Sequence, residues 1–277
     1  MTGAASVLVA ALLAQAPASF TVGISERAEQ VVYRVVNDSN FDTAFLVPHF
    51  FEQRYTSRST WITFSGRYAL RRGRATTTFS LAPRVRTAGS DIDTFFQPNG
   101  DIVTAGTDGS VWLQSFAIRQ DLQVFDTRGW AVDLSIGYRR SRAEFTPDDR
   151  IVTHTQPASI TRTFITDRET TYSHVLDAGL SASTTRRLSA RWDMNVTLGA
   201  SPLTRARLVT KLPDKYPGQD VVFGTLAAGC SGGVSISRAW GQVRAGLGLN
   251  AGLTRGYQQS VNYRQQAASA TLFLLIK

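Results

Sequence analysis

From about residue 20 to its end the chain alternates apolar and polar residues with a period of two. In one stretch Trp130, Val132, Leu134, Ile136 and Tyr138 alternate with Ala131, Asp133, Ser135, Gly137 and Arg139. In another, Leu188, Ala190, Trp192, Met194, Val196 and Leu198 alternate with Ser189, Arg191, Asp193, Asn195 and Thr197. Side chains of an extended chain point to opposite faces in turn, so each stretch predicts a strand with one apolar and one polar face. Similar alternation over 20–34, 60–70, 75–86, 112–124, 172–183, 222–237, 243–254 and 268–276 brings the predicted strands to ten.

A soluble sandwich would alternate in the same way, and three features favour a barrel in a membrane instead. The strands are long enough to supply the ~9–11 residues that a tilted strand needs to cross the hydrocarbon layer. Trp61, Trp112, Trp130, Trp192 and Trp240 fall near strand ends or on apolar faces, as aromatic girdles do. Connections alternate between short (71–74, 126–129, 184–187, 238–241) and long (35–55, 87–110, 146–170, 201–220, 255–264). The predicted fold class is therefore all-β, a ten-stranded antiparallel transmembrane barrel with apolar residues toward lipid, long loops outside the cell and both termini in the periplasm. That orientation turns Arg67, Arg119, Asp121, Asp133, Arg139, Asp177, Arg191, Asp193 and Arg244 into the lumen, either as a cross-bridged polar plug or as solvated groups.

Composition agrees: only 43% of residues are hydrophobic, and after residue 18 no apolar run approaches the ~20 residues of a membrane-crossing helix. The one hydrophobic run, VLVAALLA at residues 7–14, is followed by Ala16 and Ala18 in Ala-x-Ala spacing. Residues 1–18 read as a cleaved signal peptide, although no Lys or Arg precedes the run, and a short buried helix is the alternative. The barrel domain then occupies 19–277. A net charge of +9 would ordinarily suggest nucleic acid, but an exported chain meets anionic lipid head groups and phosphates instead. The single cysteine, Cys230, precludes an intramolecular disulfide and reads as a small packing residue. No cofactor or metal site is expected.

Residues 137–146, GYRRSRAEFT, resemble a pattern on the fifth strand of the omptins, the ten-stranded outer-membrane proteases: Gly-Tyr-x-x-Ser-Arg-x-x-aromatic-Thr, carried here by Gly137, Tyr138, Ser141, Arg142, Phe145 and Thr146. Gly23, Glu29, Val32 and Tyr33 are similar to the omptin first strand. The resemblance implies an aspartic-type endopeptidase in which an Asp-x-Asp pair faces an Asp-x-His pair across the barrel mouth and activates water between them. Asp91 and Asp93 match the first pair, but where the second belongs the chain has Thr204, Arg205, Ala206 and Arg207, and arginine cannot accept a proton. The three histidines are His49, His154 and His174, of which His49 or His154 could in principle reach the mouth, whereas His174 should face outward. With Lys211 and Lys215, Arg205 and Arg207 also make the fourth loop basic, unlike the acidic groove that binds basic peptides. The resemblance further implies lipopolysaccharide binding by Tyr138 and Arg142. Tyr138, Arg140 and Arg142 share the outward parity of their strand near its upper end, with Arg168 on the next strand as a fourth member of a lipid A site.

Three functions compete: a non-catalytic or altered barrel associated with lipid A and serving as a surface structural, adhesin or acidic-ligand-binding protein; an endopeptidase using Asp91 and Asp93 with a displaced base; and a narrow porin or transporter.

Overall fold

The computed structural model describes residues 18–37, 49–70, 73–127, 129–164, 168–211, 213, 218, 220–257 and 261–276. The proposed signal peptide and Lys215 lie outside them, apart from Ala18, as does the His49 side chain. The strands are β1 (Ser19–Asn37), β2 (His49–Ala69), β3 (Arg74–Phe96), β4 (Ile102–Thr127), β5 (Trp130–Thr155), β6 (Ala158–Phe164), β7 (Glu169–Arg187), β8 (Trp192–Lys211), β9 (Asp220–Trp240), β10 (Val243–Gly256) and β11 (Val261–Ile276). All pairings are antiparallel, and β1 closes the ring by pairing with both β2 and β11. Ten strands make the ring, as expected; the eleventh, β6, pairs with the top of β5 alone and forms a hairpin standing above it.

Pairing partners around the ring run from Leu180 through Ala200, Cys230, Leu253 and Gln266 to Gln30 in one direction. In the other they run through Leu134, Leu122 and Ala75 to Tyr68, beside the start of β1. One circuit thus climbs about twelve residues along β1, the stagger that tilts the strands and leaves a lumen narrow enough for side chains to fill.

Parity decides the environment of each side chain. Phe20, Ile24, Phe64, Phe79, Ile118, Leu134, Ile136, Leu180, Trp192, Leu198, Ile236, Leu247, Leu249 and Leu272 are all exposed on the outer face, forming the apolar band that lipid would cover. Inside, the lower lumen is polar, with Arg119 bonded to Asp121 and Arg244 to Asp193 at 2.8 and 2.7 Å. At mid-height Arg139 lies 2.6 Å from Glu29, which also meets Arg27 and accepts a hydrogen bond from Gln265. Above that, Val31, Tyr33, Tyr55, Val111, Phe145, Val175, Leu208 and Tyr263 pack into an apolar cluster, and Tyr263 is entirely buried. The lumen is therefore bridged at mid-height by Arg139 and Glu29 and filled above by the apolar cluster, while below it a cavity of about 360 Å³ is lined by Arg27, Arg119, Arg139 and Asp177.

Four expectations are corrected. The strands run well beyond the predicted ends, so that 87–96, 102–110, 146–155 and 201–211 are strand rather than loop. Above the apolar band both faces meet water or polar groups, so the two-residue pattern fades while the backbone ladder continues. The third lower turn is 188–191, not 184–187, which takes Leu188, Ala190 and Arg191 out of the strand. Trp61 points inward, 4% exposed with Arg27 over its ring, because β2 buries odd-numbered positions from Gln53 to Trp61; only the other four tryptophans lie on the outside. Cys230 is exposed on the outer face rather than packed. The remaining lower turns keep positive-φ glycines, Gly73, Gly129 and Gly241, where a side chain would be strained.

This orientation predicts that Leu134→Arg, in the centre of the outer band, destabilises the refolded protein in bilayers by about 2–4 kcal/mol. Equilibrium denaturant unfolding measures it; a change near zero would contradict lipid exposure of that face.

Candidate functional site

Inside the rim, Asp91 and Asp93 lie on strand β3 rather than in a loop, and both take its inward parity. Asp91 is buried. Beside them on β2, Gln53 accepts a hydrogen bond from Tyr55 Oη at 2.7 Å and donates to Glu169 at the start of β7. Thr171 donates to Glu169 at 3.2 Å and stands 3.0 Å from Thr210 of β8. The upper lumen is thus an acidic and hydroxyl-rich chamber. Glu169, Gln53 and Tyr55 went unnoticed in the sequence because single polar residues on an inward parity carry no motif.

The opposite wall departs from the expectation. Thr204 and Ala206 are buried on the inward face of β8, followed by Leu208 and Thr210, whereas Arg205 and Arg207 are exposed on its outer face. These arginines therefore do not make the mouth basic. The correction removes electrostatic repulsion as a reason against basic peptides, and leaves the inward groups of β8 without an acid or a base between Thr204 and Thr210.

His154 is placed at the top of β5, on the same inward parity as Val152. Its Nδ1 lies 2.8 Å from Asp101 Oδ2, and the other Asp101 oxygen accepts from the backbone N–H groups of Thr155 and Gln156 and from the Thr155 hydroxyl. The hydrogen bond with His154, joined by those of Gln156 and Thr155 against the opposing effect of desolvation, holds the Asp101 carboxyl down at about 2. Asp101 so fixes both the β5–β6 hairpin and the ring of His154. His154 pairs with Val103 and Val103 with Phe95, two strands across from Asp93 and two residues above it. Strand spacing makes that separation roughly 12 Å between backbones.

The omptin-like motif is divided between the two faces of β5. Gly137 looks inward, where an added Cβ would sit 2.3 Å from an Asp177 carboxylate oxygen; Ser141 bonds Ser115 at 2.8 Å; Phe145 joins the apolar plug. Outward, Tyr138 Oη lies 2.7 Å from Nδ1 of His174, which faces out as expected. Above it, Arg140 and Arg142 stand over the ring of Tyr172 at 5.3 and 5.9 Å. Arg142 bonds Glu144 at 2.5 Å, and Arg84 of β3 reaches the same carboxylate while lying 4.7 Å over Trp112. Arg168 is exposed immediately before the start of β7, four residues from Tyr172. Tyr138, Arg140 and Arg142 are therefore brought together; Glu144 joins them from the same strand, and Arg84, Trp112, Tyr172 and His174 from neighbouring strands, which a reading of one strand at a time misses.

Among the described residues no group of three or more His, Cys, Asp or Glu could hold a metal ion. No protein-family profile matches the chain, and no curated protein does. The fold resembles that of the outer membrane protease OmpT from Escherichia coli, with a TM-score of 0.64 over 94% of this chain and 97% of that one, at 10% identity. More remote matches include the translocator domain of the autotransporter NalP from Neisseria meningitidis (TM-score 0.34, 10% identity, 100% and 95% covered). Another is an outer membrane channel from Pseudomonas putida F1 (TM-score 0.36, 11% identity, 95% and 96% covered). The chain has the fold of an outer-membrane β-barrel similar to that of OmpT.

Proposed function

We propose that this protein resides in the bacterial outer membrane with its long loops outward, and serves there as a non-catalytic surface protein that holds lipid A on its outer rim. The observation that carries the reading is the cluster of Tyr138, Arg140, Arg142, Tyr172 and Arg84 on the lipid-facing side, directly above the apolar run from Trp130 to Ile136. Charged groups facing lipid cost about 2–4 kcal/mol at the midplane and little at the interface, so these arginines belong at head-group level, where phosphates lie. Aromatic rings beneath them fix the planar guanidinium groups; Arg142 and Arg84 each turn one nitrogen to Glu144, and the remaining N–H groups of the cluster can meet phosphate oxygens. The plugged lumen and the lack of an acid or base on the inward stretch of β8 support a binding rather than a catalytic or channel role. An acidic surface ligand remains compatible with the same arginines.

One observation favours a second reading, an endopeptidase with Asp91, Asp93 and a displaced base: the Asp101–His154 pair, in which a carboxylate orients an imidazole on the inward parity near Asp93. The lowered Asp101 pKa means that the stabilisation given by its ionised form is complete above about pH 4, the ordinary range, and is lost as pH falls through about 2. The pair would therefore persist at any pH where such an enzyme works.

For the first reading, protein refolded with lipopolysaccharide is expected to unfold at a higher temperature than without it, and Arg140→Ala with Arg142→Ala to abolish most of the gain. Arg142→Lys should weaken it although charge is kept, since lysine lacks the fork. An unchanged gain in the double variant places the ligand elsewhere. For the second, the refolded protein is expected not to cleave peptides between basic residues; cleavage that disappears in both Asp93→Ala and His154→Ala would establish the enzyme.

A further inference from the structure

On the flank away from Tyr138, β10 and β11 place two arginines directly opposite each other: Arg255 pairs with Arg264 across the ladder, and both are exposed on the outer face. Cβ atoms of such pairs lie about 4.5–5.5 Å apart, and like charges at that distance repel. Other arginines of these strands have compensation. Arg244 of β10 is bonded to Asp193 at 2.7 Å, and on neighbouring β9 Arg238 lies over the rings of Trp192 and Trp240 at 5.7 and 5.1 Å. No Asp or Glu occurs anywhere from Val221 to Lys277, so β10 and β11 can offer Arg255 and Arg264 no counter-charge of their own. The β1 residue paired with Arg264 is Val32, and next to it on β2 is Arg54, which is engaged with Glu52 at 3.0 Å. Asp220, at the top of β9, is bridged to Lys211. Arg34, two residues above Val32 on the same face, stands directly opposite Glu52 on β2.

The pair also marks a depth. Below Arg255 the outer face of β10 carries Leu253, Ala251, Leu249 and Leu247; below Arg264, after Gln266, that of β11 carries Ala268, Ala270 and Leu272. Arg255 and Arg264 thus cap the apolar band on this flank, as Arg140 and Arg142 do on the other.

We propose that Arg255 and Arg264 form a second site, separate from the cluster on β5 and β7, that binds the phosphate monoester of a lipid head group between the two guanidinium forks. A phosphate replaces the repulsion with two charge-assisted, bidentate contacts, and the apolar strip below receives the acyl chains. The site uses the same outward parity as the lipid A reading but none of its residues, so either can fail without the other.

The test uses the full-length protein refolded in zwitterionic detergent, with the thermal unfolding midpoint read alone, with inorganic phosphate, and with phosphatidic acid in the micelle. It compares the native chain, Arg255→Gln, Arg264→Gln, Arg255→Lys and the Arg140→Ala/Arg142→Ala variant. Without ligand, either glutamine variant should unfold at a higher temperature than the native chain, because repulsion is relieved, whereas Arg255→Lys should not. Phosphatidic acid should raise the native midpoint, and the concentration needed should increase about tenfold or more in all three variants at this site. In the Arg140→Ala/Arg142→Ala variant a phosphatidic acid response that still depends on Arg255 should remain. A larger response to phosphatidic acid than to inorganic phosphate identifies a lipid source; equal responses identify a site for the free phosphate group and overturn the lipid assignment. A ligand-free midpoint that falls in both glutamine variants, or a response untouched by them, overturns the site.

Discussion

The demand that no backbone N–H or C=O be left unpaired in hydrocarbon governs this structure. A sheet meets that demand only when its edges are joined, as β1 joins β2 and β11 here, and joining them fixes an inside and an outside for every residue. Closure therefore turns a simple alternation into two chemical surfaces. The same strand β5 sends Gly137, Ser141 and Phe145 into the lumen and Tyr138, Arg140 and Arg142 toward lipid. A substitution that shifted register by one residue would exchange the two sets.

Inside, the narrow ring brings charges from distant strands together, and the lumen is stable because they are matched. Glu29 of β1 answers Arg27 and Arg139, while Asp121 and Asp193 answer Arg119 and Arg244. Tyr33 donates across the lumen to Ser173 of β7 at 2.8 Å, joining polar and apolar parts of the plug. Such a filled lumen leaves the mouth and the outer rim as the places where the protein meets other molecules. The outer rim carries arginines on both flanks, with Glu144 on the same strand as Arg142 on one and no acid on β10 or β11 on the other.

How much of this was legible in the sequence follows from where alternation carries information. Leu134 and Ile136 could be assigned outward because their neighbours are polar and their own face is uniformly apolar. Asp91 and Asp93 were found by spacing, yet read as loop because residues above the apolar band lose the contrast between faces. For the same reason the sequence alone suggests that Arg205 and Arg207 line a mouth, whereas the continuing ladder of β8 turns them outward. Trp61 escaped because an aromatic residue suits either a girdle or a filled lumen, and only the pairing of β2 decides. The pairing of Asp101 with His154, 53 residues apart, and the convergence of Arg84, Glu144 and Tyr172 depend on register between strands, which a single sequence does not display.

The account rests on β5 presenting alternate residues to lipid up to a sharp change of depth at Arg140. Spin labels placed singly at residues 130–146 in reconstituted bilayers, read for collision with oxygen and with a water-soluble nickel chelate, measure both features together. Oxygen accessibility should peak at every even position from 132 to 138, with the nickel reagent overtaking it on the same face from 140 upward. Accessibility without a two-residue period, or an oxygen-dominated signal continuing through 142 and 144, would contradict the barrel orientation and the rim level together.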